Sequence, residues 1–434
     1  MSACQRQTPA AMPWASSERG VMETTGDTAW MLISSALVLF MIPGLALFYA
    51  GMVRSKNVLN MLMMNLYAAG IVPILWVVLT YSLGNNSSEE GGGLFGGSYL
   101  GNFDVVGLKG LAGDTESLVF VIFLMTFAAI TPALIAGAVA DRMKFSAWAV
   151  FVPVWSLLVY TPVTYWVYTG WFAHGVEGNL DALDFAGGTA IHINAGVAAL
   201  ALVLVLGPRK GWPEIPMPPH NLPMVVIGTG VLWFGWFGFN AGSAGAADGV
   251  AVQAFLNTFL AASAGMIGWL IIERVKDGHP TTLGACSGVV AGLVAITPAA
   301  GFVGGLSSIV FGLVAALVCY SAVQLKSSLK YDDSLDVVGV HMVGGLVGGL
   351  LLGLFAHHGS FTFDGEAPEW QEGLFFGGGV LDDQILSMLI TLVFSFVVTF
   401  VIAKVLDATI GLRADPDDEQ VGLDVSEHAE GAYA

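Results

Sequence analysis

The sequence predicts an all-α polytopic membrane protein: eleven transmembrane helices, arranged as two inverted five-helix repeats plus an extra C-terminal helix. Three observations carry this. Of 434 residues, 55% are hydrophobic and only 11% charged, under half the ~25% of an ordinary soluble chain. Windows of ~20 apolar residues recur along the chain, each long enough to cross a bilayer. Basic residues gather after every second window. The apolar runs are continuous rather than alternating, which excludes a transmembrane β-barrel.

Taken in order, residues 1–28 form a polar N-terminal tail, expected outside the cell. They lack a basic stretch followed by an apolar one, so they do not read as a secretory leader, and Met22 is a second candidate start. Apolar spans follow at about 29–53, 61–83, 118–140, 146–167, 185–206, 223–241, 251–272, 282–298, 302–325, 336–356 and 386–409. The transmembrane domain is therefore 29–410, and 411–434 is an acidic, polar tail. By composition alone such a tail reads as unstructured.

Arg54 and Lys56, Arg142 and Lys144, Arg209 and Lys210, Arg274 and Lys276, Lys326 and Lys330, and Lys404 and Arg413 all fall at or after the ends of odd-numbered spans. The loops after even-numbered spans hold only Lys109. Positive residues stay in the cytoplasm, so the odd spans end there; the N-terminus is outside and the C-terminus inside. The net charge of −18 falls largely on outward loops, through Glu89, Glu90, Glu177, Asp364 and Asp382 among others. Such a face concentrates cations at a pore mouth or simply acidifies a surface for a salty habitat.

Spans five and ten share a pattern. Asp184 precedes Gly187, Gly188 and His192; Asp336 precedes Gly339 and His341; each histidine opens a run of small apolar residues. An ionisable side chain inside an apolar span is costly and points to function. A lone histidine there could be a neutral ring satisfied by a carbonyl. Two at matching places, one per half, point instead to a shared site. An odd number of spans per repeat makes the second copy run inverted, a common transporter plan with the site between the halves. Asp184 lies eight residues before His192, about 12 Å along a continuous helix. That is too far for direct pairing, so it caps the Gly187–Gly188 backbone or acts as a fixed charge at a distance.

Other constellations are weaker. Gly235 to Gly245 places aromatics and Ser243 at the outer end of span six, either as an interfacial belt with close glycine packing or as an aromatic gate beside a hydroxyl. Phe123 and Phe127, four apart, share a helix face; they are core packing or a cation–π surface. The glycines of 91–97 read as an outer turn, since no Lys-Ser/Thr follows. Cys4, Cys286 and Cys319 lack metal or disulfide spacing. No cofactor, metal or nucleic acid is expected, and no nucleophile–base motif supports an enzyme.

Together these stretches resemble the Amt/Mep/Rh ammonium transporters, on the Amt side. The resemblance runs through Pro43 to Tyr49, Arg54 to Asn57, Leu183 to Gly188, His192 to Asn194, His220 to Pro223, Gly235 to Gly245, Leu283 to Gly288, Val338 to His341, and the tail through Gly411, Gly422, His428 and Tyr433. It implies a plasma-membrane homotrimer with one pore per protomer. Phe123, Phe127 and Ser243 match an outer site that recruits NH4+. Phe127 and Phe239 match a stacked gate, and His192 and His341 match twin histidines lining an apolar path. Asp184 matches an aspartate needed for the vestibule. Where the family usually has a vestibule tryptophan, this chain has Tyr168, flanked by Trp166 and Trp171. Tyrosine is the weaker cation–π partner. The 411–434 tail matches a cytoplasmic regulatory segment, and a PII-type signal protein is the implied partner on that face.

Carrying NH4+ intact through an apolar pore would cost its desolvation, whereas neutral NH3 could pass once a proton is released. The two histidines are therefore expected to share a hydrogen bond and to relay protons. K+, with no proton to release, is rejected. The competing classes are an ammonium sensor, for which no signalling domain is expected in these residues, and an electroneutral NH3 channel of Rh type.

Overall fold

The computed structural model describes residues 25–86, 93–94, 97–174, 180–357 and 370–433. Expectations placed on residues 1–24, Glu89, Glu90, Gly91, Glu177 and Asp364 lie outside these. The described chain is helical, with only isolated bridges such as Met143 to Arg413.

Eleven helices follow the predicted spans. They are α1 (Thr25–Met52), α2 (Val58–Asn85), α3 (Thr115–Val139), α4 (Phe145–Tyr168), α5 (Gly188–Leu206), α6 (Leu222–Gly242), α7 (Gly249–Lys276), α8 (Thr282–Ile296), α9 (Gly305–Leu329), α10 (Val338–Phe355) and α11 (Val380–Thr409). All but α8 are long and apolar enough by themselves to cross a membrane. Side chains such as Leu32, Phe234, Phe259 and Val393 are exposed on the outer surface of the bundle, as lipid-facing residues should be. Helix starts use the expected chemistry: Asp114, Asn221, Asp248 and Thr281 each accept a backbone N–H as N-caps.

The two five-helix halves meet along α1 and α6. A Cβ on Gly228 would strike the backbone of Phe48, and one on Gly235 would strike Met41. Glycine at these points lets the backbones approach, the packing that small residues allow in membranes. Helix α11 stands outside the repeats and braces the first one. Gln384 grips the backbone of Leu183 through both N–H and C=O (2.7 and 2.8 Å), and Ser395 donates to Asn194 at 2.7 Å.

The tail is folded, contrary to what its composition suggests. Short helices α12 (Pro416–Val421) and α13 (Leu423–His428) lie across the basic ends of α1–α6. Lys56 donates to the Glu419 carbonyl at 3.0 Å, Asp424 accepts from the Asn60 N–H at 2.8 Å, and Tyr433 meets His220 at 2.7 Å. Polar partners supplied by the inter-helix loops replace the apolar core that the tail lacks.

Candidate functional site

The site forms where α5 and α10 cross. Each helix begins with a wide π-helical turn, Gly188–Ile193 and Val338–Met342, and each turn carries a histidine. Four residues after each histidine stands a glycine. A Cβ on Gly196 would lie 2.3 Å from the Met342 nitrogen, and one on Gly345 would lie 2.8 Å from the Ile193 side chain. Each glycine thus receives the residue that follows the other histidine, and the crossing brings the rings together. His192 Nδ1 lies 3.2 Å from His341 Nδ1, with the rings 19° apart. Both are buried. The helices begin later than predicted, so the meeting depends on their starts lying inside the bundle.

Asp184 makes that start possible. Its Oδ1 accepts from the N–H groups of Gly187 (2.9 Å) and Gly188 (2.6 Å), and its Oδ2 from Thr189 (2.9 Å) and Ala190 (3.0 Å). These are the orphan donors of a helix N-terminus, which a buried helix cannot leave to water. The chain turns into this cradle at Gly187, whose φ of 101° favours glycine.

In the second repeat the matching aspartate is Asp333, not the predicted Asp336. Asp333 stands eight residues before His341, as Asp184 does before His192, and accepts from Val338, five residues on, at 2.7 Å. Asp336 instead takes the left-handed position, φ 63°, that Gly187 holds in the first repeat. The shared pattern with Gly339 misled the register, because aspartate tolerates positive φ well enough to replace glycine.

An apolar cavity runs along the histidines. Its first part is lined by Met41, Leu45, Leu134, Trp236, Phe239 and both histidines among others. A second part continues from His341 past Met52, Val290 and Ser287 to Asp336. His192 Nε2 is buried with no hydrogen-bond partner among the described residues. Trp236 lies nearly parallel to His192 at 5.4 Å and is pinned by its indole N–H to Thr297 Oγ1 at 2.9 Å. Sequence pattern alone singles out neither Trp236 nor Thr297; Trp236 stands three residues before Phe239, on its helix face, and that spacing was the available signal.

Phe127 and Phe239 close the other end, stacked at 4.2 Å and 13°. Phe123 packs on Phe127 at 4.7 Å. Ser243 donates to the Phe239 carbonyl at 2.8 Å. A Cβ on the adjoining Gly242 would meet Phe123 at 2.9 Å, so this turn lies against the Phe123 ring. Tyr168 is buried at the end of α4. Trp166 is committed elsewhere: its indole donates to the Tyr99 carbonyl at 2.9 Å and its ring packs on Phe172 and Phe394. Trp171 is half-buried against Tyr99 and Phe172.

Beneath the basic end lies a charged network. Arg209 grips Asp332 with two guanidinium nitrogens, at 2.9 and 2.8 Å, and reaches Asp141 at 3.6 Å. Arg142 is fully buried and donates to the carbonyls of Gly207 and Asp332 and to Ser334. Burial pulls its guanidinium down to about 10, still charged at neutral pH. Burial pushes the Asp332 carboxyl up, but Arg209 and Arg142 outweigh it and hold the group below its usual range.

Comparison with known proteins places the chain. A family model described as Ammonium Transporter Family matches residues 29–433. A protein from Mycobacterium bovis named "Ammonium transporter" is 51% identical, over 94% of this chain and 90% of that one. The crystal structure of Candida albicans Mep2 superposes with a TM-score of 0.82 at 35% identity, covering 91% of this chain and 87% of its own. A solved structure named "Sensor Amt Protein" gives a TM-score of 0.82 at 26% identity, covering 93% and 98%.

Proposed function

Because the chain belongs to the ammonium transporter family, we propose that it recruits NH4+ at the outer aromatic site, releases a proton there and conducts NH3 past the twin histidines. The observation that carries this reading is the His192–His341 contact inside a cavity whose lining is otherwise almost wholly apolar. A permanent cation gains nothing from such walls. A small neutral amine can donate to or accept from the imidazoles, and His192 Nε2 has hydrogen-bonding capacity to spare.

Phe123, Phe127, Tyr168 and Ser243 form the recruitment site in this reading. Aromatic faces attract a desolvating cation by about 0.5–2 kcal/mol each, and Ser243 accepts one of its hydrogens. Phe127 and Phe239 are the gate that keeps hydrated ions out. Asp184 caps α5 and supplies negative charge below the recruitment site. The proton either stays outside or follows through the histidine pair, and the latter makes transport electrogenic.

The setting is the plasma membrane, with the acidic face outside and the basic face in the cytoplasm. Three protomers assemble, each with its own pore, and the tail 411–434, docked over its described residues, and the basic face receive a PII-type regulator.

The test is current and internal pH in proteoliposomes after an ammonium pulse, with K+ as control. A saturable current with ammonium alone supports the electrogenic reading. Internal alkalinisation without current makes the protein an electroneutral NH3 channel. Ammonium binding with neither response overturns transport in favour of a sensor, the role that one structural neighbour's name carries.

A further inference from the structure

The two inverted half-sites are built alike but charged differently. In the first, four backbone N–H groups donate to the Asp184 carboxylate. No lysine or arginine pairs with it among the described residues. In the second, the cavity ends on Asp336, and Lys326 holds that carboxylate in an ion pair. The same ammonium group donates to the carbonyl of Asp333 at 3.1 Å. Lys326 comes from the basic end of α9 and reaches the pore mouth from the side: it touches Asp336 without lining the cavity.

We propose that Lys326 is a specificity-determining residue, a tethered ammonium that neutralises Asp336 and denies the inner mouth to free cations. The inference rests on the transport reading above. A lone carboxylate at the cytoplasmic end of a narrow, low-dielectric path would gather the cations around it, and K+ is the abundant one there. A cation seated at Asp336 would block the exit of NH3 and hold back newly formed NH4+. With Lys326 in contact, the carboxylate field is cancelled at its source, since opposite charges at contact distance leave only a dipole to act on ions beyond. Asp184 in the outer half is a buried cap held by backbone N–H groups, without a side-chain counter-cation among the described residues, and it does not line the cavity; Asp336 does, and pairing it with Lys326 favours release at the inner mouth. Asp336 in the place of Gly187 is what brings a carboxylate to the mouth, and Lys326 is the compensation.

The experiment compares ammonium-evoked flux with K+ or the bulky cation choline at equal concentration on both sides of the proteoliposome membrane. The ratio of the two, taken within one preparation, cancels differences in protein yield. The intact protein should give a ratio near one. Lys326→Met should lower flux in K+ several-fold relative to choline, and Lys326→Met with Asp336→Asn should restore the ratio. Lys326→Arg should behave as the parent. If the methionine variant fails to assemble, Lys326→Gln, which keeps a donor without the charge, is expected to show the same K+ inhibition. An active Lys326→Met or Lys326→Gln protein indifferent to K+ overturns the proposal, as does inhibition that persists in the double variant. Absence of ammonium flux in the parent protein would instead defeat the transport reading.

Discussion

Asp184 and Asp333 are counterparts across the inverted repeat: each stands eight residues before a histidine of the cavity and accepts a backbone N–H five residues on. The relationship makes each aspartate the anchor of the turn that presents its histidine. Asp184 bears the heavier load, with four N–H groups on its two oxygens. Replacement by Ala should strand those donors in a buried place, at a cost of about 1–3 kcal/mol for each one left unsatisfied. Asp184→Asn should fare little better, because its amide nitrogen would face two donors. Thermal unfolding in detergent is the check: a melting temperature unchanged in Asp184→Ala would refute the capping role.

The histidine pair gives a second prediction. His192→Leu fills the position with apolar volume and removes the 3.2 Å contact. The protein should remain folded, with ammonium flux reduced about a hundredfold or more, the order of a lost proton-transfer group. His341→Leu should act in the same direction. Flux at the parent level in either variant would show that the pore conducts without its imidazoles.

Phe239 links the Phe127 ring to the histidine cavity, stacked on Phe127 and facing His192 at 6.1 Å. Phe239→Ala should destabilise the fold by about 3–5 kcal/mol, the usual range for a buried phenylalanine. It should also open a wetter path. The reading is K+ leak in proteoliposomes, absent in the parent and present in the variant; a tight variant would place the barrier elsewhere.

The tail offers a prediction at a single residue. Gly422 has φ 118°, and a Cβ there would lie 2.7 Å from the Lys56 carbonyl. Gly422→Val should therefore undock residues 423–433 without touching the pore. Limited proteolysis should cut the variant tail faster than the parent tail, and regulation at the basic face should weaken with it. Equal cleavage would mean the docking survives without this turn.

The Arg209–Asp332 pair predicts an acid limit. The Asp332 carboxyl is held below its ordinary range in the folded protein. Its contribution to stability is therefore present above the unfolded pKa of about 3.9 and is lost as pH falls through the lower folded value. Asp332→Asn should remove this component at all pH values and leave Arg209 buried with only the more distant Asp141, at 3.6 Å, as a charge partner. Breaking such a pair costs about 3–5 kcal/mol. Acid-induced unfolding followed by tryptophan fluorescence should start from a lower plateau in the variant and show a shallower loss below about pH 4.

Much of this was written in the chain itself. Length of apolar run and placement of Arg and Lys determined eleven helices and the inverted repeat, because hydrocarbon thickness admits few alternatives. The residue types of the site were equally legible: His192 and His341 stand out as ionisable groups in apolar spans, Phe123 and Phe127 as rings with helical spacing, and Phe239 through the family resemblance. Tertiary structure decided what spacing cannot carry. Only the crossing of α5 and α10, permitted by Gly196 and Gly345, puts two histidines 149 residues apart within hydrogen-bond reach. The folded turn shows that Asp333 rather than Asp336 matches Asp184; the equal eight-residue spacing to the histidines was the signal in the sequence, and the aspartate nearer Gly339 obscured it. The tail likewise gains its order from the loops it lies on, and composition cannot anticipate a partner such as Lys56, 363 residues from the carbonyl it holds.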